Sequence, residues 1–349
     1  MGLPRAAPGP VCSDGKGKLL EILRHGNVCS KEWVVRQYDH EVQAGTAIKP
    51  LVGPEGRGPG DAAVLVPVAG RRRGVAVGCG INPRHGDLDP YAMAMLAVDE
   101  AIRNVVAVGA DPARVALLDN FSWGDCSNPE TLGAMVRACR GCHDAALLFG
   151  APFISGKDSL NNEFRAETGS IRIPHTLLVS ALSIVGDVTR CVTSDLKRAG
   201  SKLVLVGATW NECGGGFLGG GVVPRVRETA PATMRAVAGL IAEGRVRACH
   251  DLSEGGLAVA AAEMALGGGF GLRIDPGAVP VGERIDRADV RLFAESPSRF
   301  LLEVEDDADL AVPHAVVGEV LAEPVLDFGA FRAGLDEARE SFFHWETLL

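Results

Sequence analysis

The chain has 349 residues, with 35 Lys plus Arg against 44 Asp plus Glu for a formal net charge of −9; 47% of residues are hydrophobic and 23% charged. That composition excludes a disordered chain, and the acidic balance excludes tight nonspecific binding to nucleic acid. No apolar run reaches membrane-spanning length, the longest covering 176–185, so no membrane partner is expected.

In chain order, residues 1–18 are rich in Pro, Gly and charge and predict a poorly ordered tail without the apolar core of a secretion signal. A short helix is expected over 18–25, and Ser30 is placed to cap a second one. Strands follow at 46–52, 61–68 and 74–79, short, β-branched and bounded by glycines. The periodicity over 91–108 predicts a long helix, 114–119 a strand, 129–148 a helix and 152–155 a strand, and 171–184 is apolar enough for a strand pair. A boundary is expected near 185–193. Beyond it come a buried strand at 201–207, a helix at 229–243, a strand at 247–249, a helix at 255–266, strands at 270–274 and 300–304, and a last strand pair. The fold class is therefore mixed α/β (α+β) in two units. The boundaries expected are a tail with linker helices (1–48), an N-terminal domain (49–188) and a C-terminal domain (189–349).

Forty-four glycines and only 5% aromatic residues suit phosphate sites better than apolar grooves. Nine cysteines, an odd and scattered set, fit a reduced cytoplasmic setting. Cys139 and Cys142 form one C-x-x-C inside a helical stretch with no second pair nearby, so they read as ordinary thiols rather than a zinc site. Asp61, after Pro59 and Gly60, is either a turn cap or a ligand for a hard cation such as Mg²⁺. Glu100 and Asn104 share a helix face, though Glu100 could equally pair with Arg103. His250-Asp251-Leu252-Ser253 joins a strand to a helix through paired glycines, an anion and metal geometry in which Ser253 could also be a plain N-cap. Ser155–Glu163 packs Lys, Asp, Ser and Asn into an expected loop but lacks P-loop spacing, and Gly214–Gly221 offers a backbone nest for an anion or a merely flexible turn.

Taken together, SKEWVVRQYDHEVQ, GPGDAAVL, AVDEAIRNVVAVGA, LLDNFSWGD, PFISGKDSLNNEF, LVGATWNECGGG, HDLSEGGLAVAAAEMA and FAESPSRF occur in the order seen in phosphoribosylformylglycinamidine synthase. The chain resembles the second module of that family's large synthetase chain over about 19–325, within the aminoimidazole ribonucleotide synthetase-like superfamily. The resemblance implies a two-domain module whose N-terminal mixed sheet pairs into a barrel with a partner module. It also implies an ATP-dependent C–N ligase that amidates formylglycinamide ribonucleotide with ammonia from a glutaminase. Carried over by motif, it implies Mg²⁺ ligands Asp61, Glu100, Asn104 and Asp251, with Gly60 and Ser253 touching a bound ATP or ADP. Asp119, Gly156, Lys157 and Ser159 would reach across the interface into the working site. Lys157 departs from the small form of the enzyme, which has a metal-binding Asn there, so it is not expected to hold metal. The family's catalytic histidine and lysine motifs are not found, nor is a glutaminase elbow. No catalytic set is complete in this chain, and a first-module partner chain is expected to complete it. Two rivals remain: a homodimeric enzyme of the same superfamily and a non-catalytic nucleotide-binding scaffold.

Overall fold

A computed structural model describes residues 9–167, 169–306 and 309–347. Helices α1 (Gly15–Arg24) and α2 (Glu32–Val35) precede the short strands β1 (Thr46–Ile48), β2 (Leu51–Val52), β3 (Gly58–Pro59) and β4 (Ala63–Leu65), then β5 (Gly74–Ile81). Next come α3 (Pro83–Gly86), α4 (Pro90–Ala107), β6 (Val115–Ser122), α5 (Pro129–Phe149), β7 (Phe153–Ser159), β8 (Glu163–Ala166), β9 (Gly169–Arg172) and β10 (Thr176–Val185). The second half runs β11 (Lys202–Val206), α6 (Ala230–Ala242), β12 (Val246–Asp251), α7 (Gly256–Gly268), β13 (Gly271–Ile274), α8 (Ala288–Phe293) and β14 (Phe300–Val304). It ends with β15 (His314–Leu321), β16 (Val325–Asp327), β17 (Arg332–Gly334) and α9 (Leu335–Phe342).

Among the described residues two main sheets result, a six-stranded one in the order β1-β4-β5-β10-β6-β7 and a seven-stranded one in the order β12-β14-β11-β15-β13-β16-β17, beside the two-stranded pairs β2-β3 and β8-β9. The architecture is mixed α/β. Helix α4 starts cleanly because Asp89 accepts the N–H groups of Tyr91 and Ala92, with Pro90 in the first turn where its missing N–H costs nothing. Fourteen of its eighteen residues are buried, more than one apolar stripe would cover. The reason is that α4 packs on β5 and β10 of the first sheet and also on β12 and α6 of the second. That double burial brings Asp99, Glu100, Arg103 and Asn104 to the junction of the two sheets.

The first sheet buries only one face. Along β5, Gly74, Ala76, Gly78 and Gly80 are buried, Gly78 and Gly80 against α4, whereas Val77, Cys79 and Ile81 on the other face are exposed. Leu178, Leu182 and Ile184 of β10 continue that second face and are only partly buried.

Several expectations need correction. The expected strand over 46–52 breaks at Lys49-Pro50 into β1 and β2. The strand at 61–68 contracts to β4, and the one at 152–155 extends to Ser159, so SGKDS is strand rather than loop: it pairs in parallel with β6, whose backbone satisfies it while its polar side chains stay wet. Residues 171–184 are no strand pair, because β9 pairs with β8 and β10 inserts between β5 and β6. Helices α8 and α9 were not foreseen. Part of the tail is held: the Cys12 N–H donates to Asp289 (2.7 Å), and Arg287 donates to the carbonyls of Gly9 and Pro10. Residues 1–8 lie outside the described residues. Leu19, Ile22 and Leu23 of α1 are buried in the second sheet's core rather than in a linker. Among the described residues no helix is long and apolar enough to cross a membrane.

Candidate functional site

Strand β12 runs to its end as His250-Asp251, and the turn before β4 carries Asp61. The two meet across the junction. The His250 ring donates from Nδ1 to Asp61 Oδ1 at 2.8 Å, and the Asp251 backbone N–H donates to the same oxygen at 2.9 Å. Asp61 is thus no local turn cap; its side chain is fully buried, and among the described residues its Oδ2 has no hydrogen-bond partner. Asp61, His250 and Asp251 offer ligand atoms within 4.8 Å of one another. His250 is nevertheless a poor ligand, because its Nε2 is also engaged, by Glu263 at 3.1 Å. Burial works against a charged imidazole, but Asp61 and Glu263 outweigh it and raise the His250 pKa well above its ordinary value.

Helix α4 supplies the other side of this corner. Arg103 donates from Nε and Nη2 to Asp251 Oδ2 at 3.2 and 3.0 Å, and from Nη1 to Asp99. Among the described residues no ion pair joins Glu100 to Arg103, which acts on it only through its charge. Glu100 Oε2 accepts from the Ile81 N–H (2.8 Å) and from Asn82 (3.0 Å). Asn104 donates to the Cys79 carbonyl at 2.7 Å. Both side chains lie close on β5, where a Cβ at Gly80 would come within 2.9 Å of Glu100 and one at Gly78 within 3.0 Å of Asn104. Burial, with Asp251 adding to it, pushes the Glu100 carboxyl up, and burial with Asp61 does the same to Asp251, against the pull of Arg103 in both cases. Five carboxylates (Asp61, Asp99, Glu100, Asp251, Glu263) share this region with two cations (Arg103, His250). An unpartnered buried oxygen, hard oxygen donors and an excess of negative charge all fit a divalent cation such as Mg²⁺.

Of the two expected nucleotide contacts, Gly60 sits on the chain at 49–50; a Cβ there would meet the Pro50 carbonyl at 3.0 Å. Ser253 is not the N-cap of α7, whose cap is Gly255 in the left-handed region. Ser253 lines a small cavity with Asn82, His85, Arg103 and Glu295. Glu295 accepts the N–H groups of Phe217 (2.7 Å) and Gly255 (3.1 Å) on one oxygen. At Phe217, then, the anion seated in the glycine-rich loop is the protein's own carboxylate. Burial pushes Glu295 up to about 7 from an ordinary 4.5. A raised carboxyl contributes stability that is complete below pH 4.5 and lost as pH rises through 7. Glu295→Gln, which keeps an acceptor, is expected to flatten the stability profile between pH 5 and 8, where one pH unit is worth at most about 1.4 kcal/mol per group. Denaturation midpoints across that range check it, and an unchanged profile would assign the pH dependence elsewhere.

The second expected group sits on the strands β6 and β7. Asp119 is in register with Gly156, where a Cβ would clash with its carboxylate, and Asn120 is in register with Lys157. Burial raises the Asp119 pKa. Lys157 donates to Ser159. Ile81, Leu178, Asn120 and Lys157 form one row across the sheet. At about 4.8 Å per strand, the Lys157 end lies about 14 Å from Ile81, where Glu100 is anchored. The structure thus brings Asp61 to Asp251 and Glu100 within electrostatic reach of Asp251, keeps Asn104 on β5, and holds Asp119, Gly156, Lys157 and Ser159 as a separate group. Sequence reasoning missed Asp99, Arg103, Glu263 and Glu295 as parts of the site; the signal was a buried acid–base pair, Asp99 and Arg103, one helical turn apart.

Residues 59–173 match the N-terminal domain, and residues 198–326 the C-terminal domain, of the AIR synthase related proteins. The chain belongs to the AIR synthase related family. Within it, the chain is 35% identical to the phosphoribosylformylglycinamidine synthase subunit PurL of Deinococcus radiodurans, over 92% of this chain and 44% of the relative. The PurL of Methanobrevibacter smithii is 34% identical, over 93% and 45%. The chain therefore spans less than half the length of these curated relatives. The solved structure of T. maritima PurL complexed with FGAR shares the fold, with a TM-score of 0.68 at 18% identity over 94% of this chain and 53% of that one. A HypE–HypF complex is similar at a TM-score of 0.59 and 15% identity, over 78% and 92%. In this AIR synthase related chain, the first corner lies where the two matched domains meet: Asp61, Glu100 and Asn104 come from the N-terminal domain, His250 and Asp251 from the C-terminal one.

Proposed function

We propose that this chain is one synthetase module of a PurL-type phosphoribosylformylglycinamidine synthase. Its corner of Asp61, Glu100, Asn104 and Asp251 holds Mg²⁺ with ATP or ADP. The observation that carries this reading is the buried, unpartnered Asp61 Oδ2 within a surplus of carboxylates. Bound there, Mg²⁺ would neutralise phosphate oxygens. The chain's own residues do the rest: Asp61 and Asp251 present oxygens, Glu100 and Asn104 line the helix side, and Gly60 and Ser253 admit the nucleotide.

The whole reaction, exchange of an amide oxygen of formylglycinamide ribonucleotide for the nitrogen of ammonia at the expense of ATP, needs a partner. The open face of the first sheet, with Val77, Ile81 and Leu65 exposed, supports docking of a first-module chain, and ammonia would come from a glutaminase. Gly156, Lys157 and Ser159 stand on the edge strand β7 and Asp119 on β6 beside it, the group this reading assigns to that contact.

Mixing the chain with a first-module partner, formylglycinamide ribonucleotide and ammonia is expected to give ATP hydrolysis tied to the substrate. Ser159→Ala should lower that turnover by about 100-fold, the scale of losing one preorganised donor, while leaving ADP retention unchanged. Turnover by this chain alone would favour a homodimeric enzyme. Retained nucleotide with no turnover in any mixture would favour a scaffold subunit.

A further inference from the structure

We infer that the two domains cross-brace this corner: each supplies the donor that aims the other's aspartate, so Arg103 and His250, with their supports Asp99 and Glu263, are positioning residues. The inference rests on the metal–nucleotide reading above and adds residues that reading does not use.

Asp61 belongs to the N-terminal domain, yet both donors on its Oδ1, the His250 ring and the Asp251 N–H, come from β12 of the C-terminal domain. They fix the rotation of the carboxylate and leave Oδ2 over, buried and unpartnered. Asp251 belongs to the C-terminal domain, yet its donor is Arg103 of α4, whose Nε and Nη2 both fall on Oδ2. Among the described residues no hydrogen bond reaches Asp251 Oδ1, which lies 4.0 Å from His250 Nδ1. Each brace therefore takes one oxygen and spares the other, as a device for aiming a ligand would.

Each donor is itself held from behind by a carboxylate bonded to neither aspartate. Glu263 of α7 takes His250 Nε2, and Asp99 of α4 takes Arg103 Nη1. Asp99 is committed further, accepting both the N–H (3.0 Å) and the hydroxyl of Ser298. Ser298 holds a left-handed φ of 58°, a conformation a serine keeps only when its surroundings impose it. A mere interdomain ion pair would need neither the second carboxylates nor the spared oxygens. The consequence is coupling: an ion held by Asp61 and Asp251 binds well only while both braces are closed, so ligand affinity and domain docking stabilise each other.

The test is the affinity of ADP for the purified full chain with and without Mg²⁺, in the wild type and in Glu263→Gln, Asp99→Asn and Arg103→Lys. Each variant removes a charge or a geometry behind the ligands and leaves the four ligand side chains themselves unchanged. The expected loss of Mg²⁺-dependent ADP affinity is about 10- to 100-fold, the usual cost of a lost outer partner. Glu319→Gln, which breaks the exposed pair with Arg273, should leave affinity unchanged. A merely structural role would lower the melting temperature yet leave the affinity of the folded protein unaltered, and that result overturns the inference. Should Asp99→Asn fail to fold, Glu263→Gln decides alone. If the wild type shows no Mg²⁺-dependent ADP binding at all, the metal–nucleotide reading fails and this inference with it.

Discussion

Arg103→Met is expected to cost the fold about 3–5 kcal/mol. The guanidinium is 3% exposed and neutralises Asp99 and Asp251, whose side chains are 0% and 7% exposed. Methionine fills much of the volume but leaves two buried carboxylates without their cation, and removing one member of a buried ion pair typically costs that much. Asp251, whose carboxyl burial and Asp61 already push up against the pull of Arg103, would then be driven to take up a proton. Stability is therefore expected to fall most steeply at neutral pH and to recover in part as pH drops. Denaturant titration at two pH values checks the point. A loss below about 1 kcal/mol, independent of pH, would mean that Arg103 is not the counter-ion of this corner.

Asp251→Asn is expected to have the largest effect on ligand binding. Asparagine preserves the shape and can still accept from Arg103, but it removes one charge from a cluster with five carboxylates and two cations. Without ligand, that removal relieves like-charge repulsion, so the free variant should be at least as stable as the wild type. With Mg²⁺ and ADP the order should reverse. At a ligand concentration 100 times Kd, the wild type should gain about 2.7 kcal/mol, and the variant almost none if its affinity falls by about 100-fold or more. Melting curves with and without Mg²⁺–ADP separate the two contributions. An equal gain in both proteins would remove Asp251 from the ligand set.

How much of this was legible in the sequence differs from residue to residue. Asp61 behind Pro59-Gly60, Glu100 with Asn104 four residues on, and Asp251 at a strand end were legible as oxygen donors because residue type and local spacing carry that information. The Arg103–Asp251 pair was not. Helical spacing links Arg103 only to Asp99 and Glu100, whereas Asp251 lies 148 residues away in sequence. The same limit explains β10: its apolar run announces a buried strand, but nothing local says that it inserts between β5 and β6. SGKDS was misread because an edge strand exposed on both faces loses the alternation that marks strands. Helix α9 carries Leu335, Ala338 and Phe342, buried at helical spacing, a short stripe easily lost in a charged segment.

The central claim, that the interdomain carboxylates hold a divalent ion with an adenine nucleotide, is tested most directly by calorimetric titration of ADP into the purified chain, once with Mg²⁺ and once with a chelator. Saturable binding of about one ADP per chain that weakens more than about 10-fold when the metal is removed is the expected result. No heat with Mg²⁺ present, or identical binding with the chelator, would contradict it.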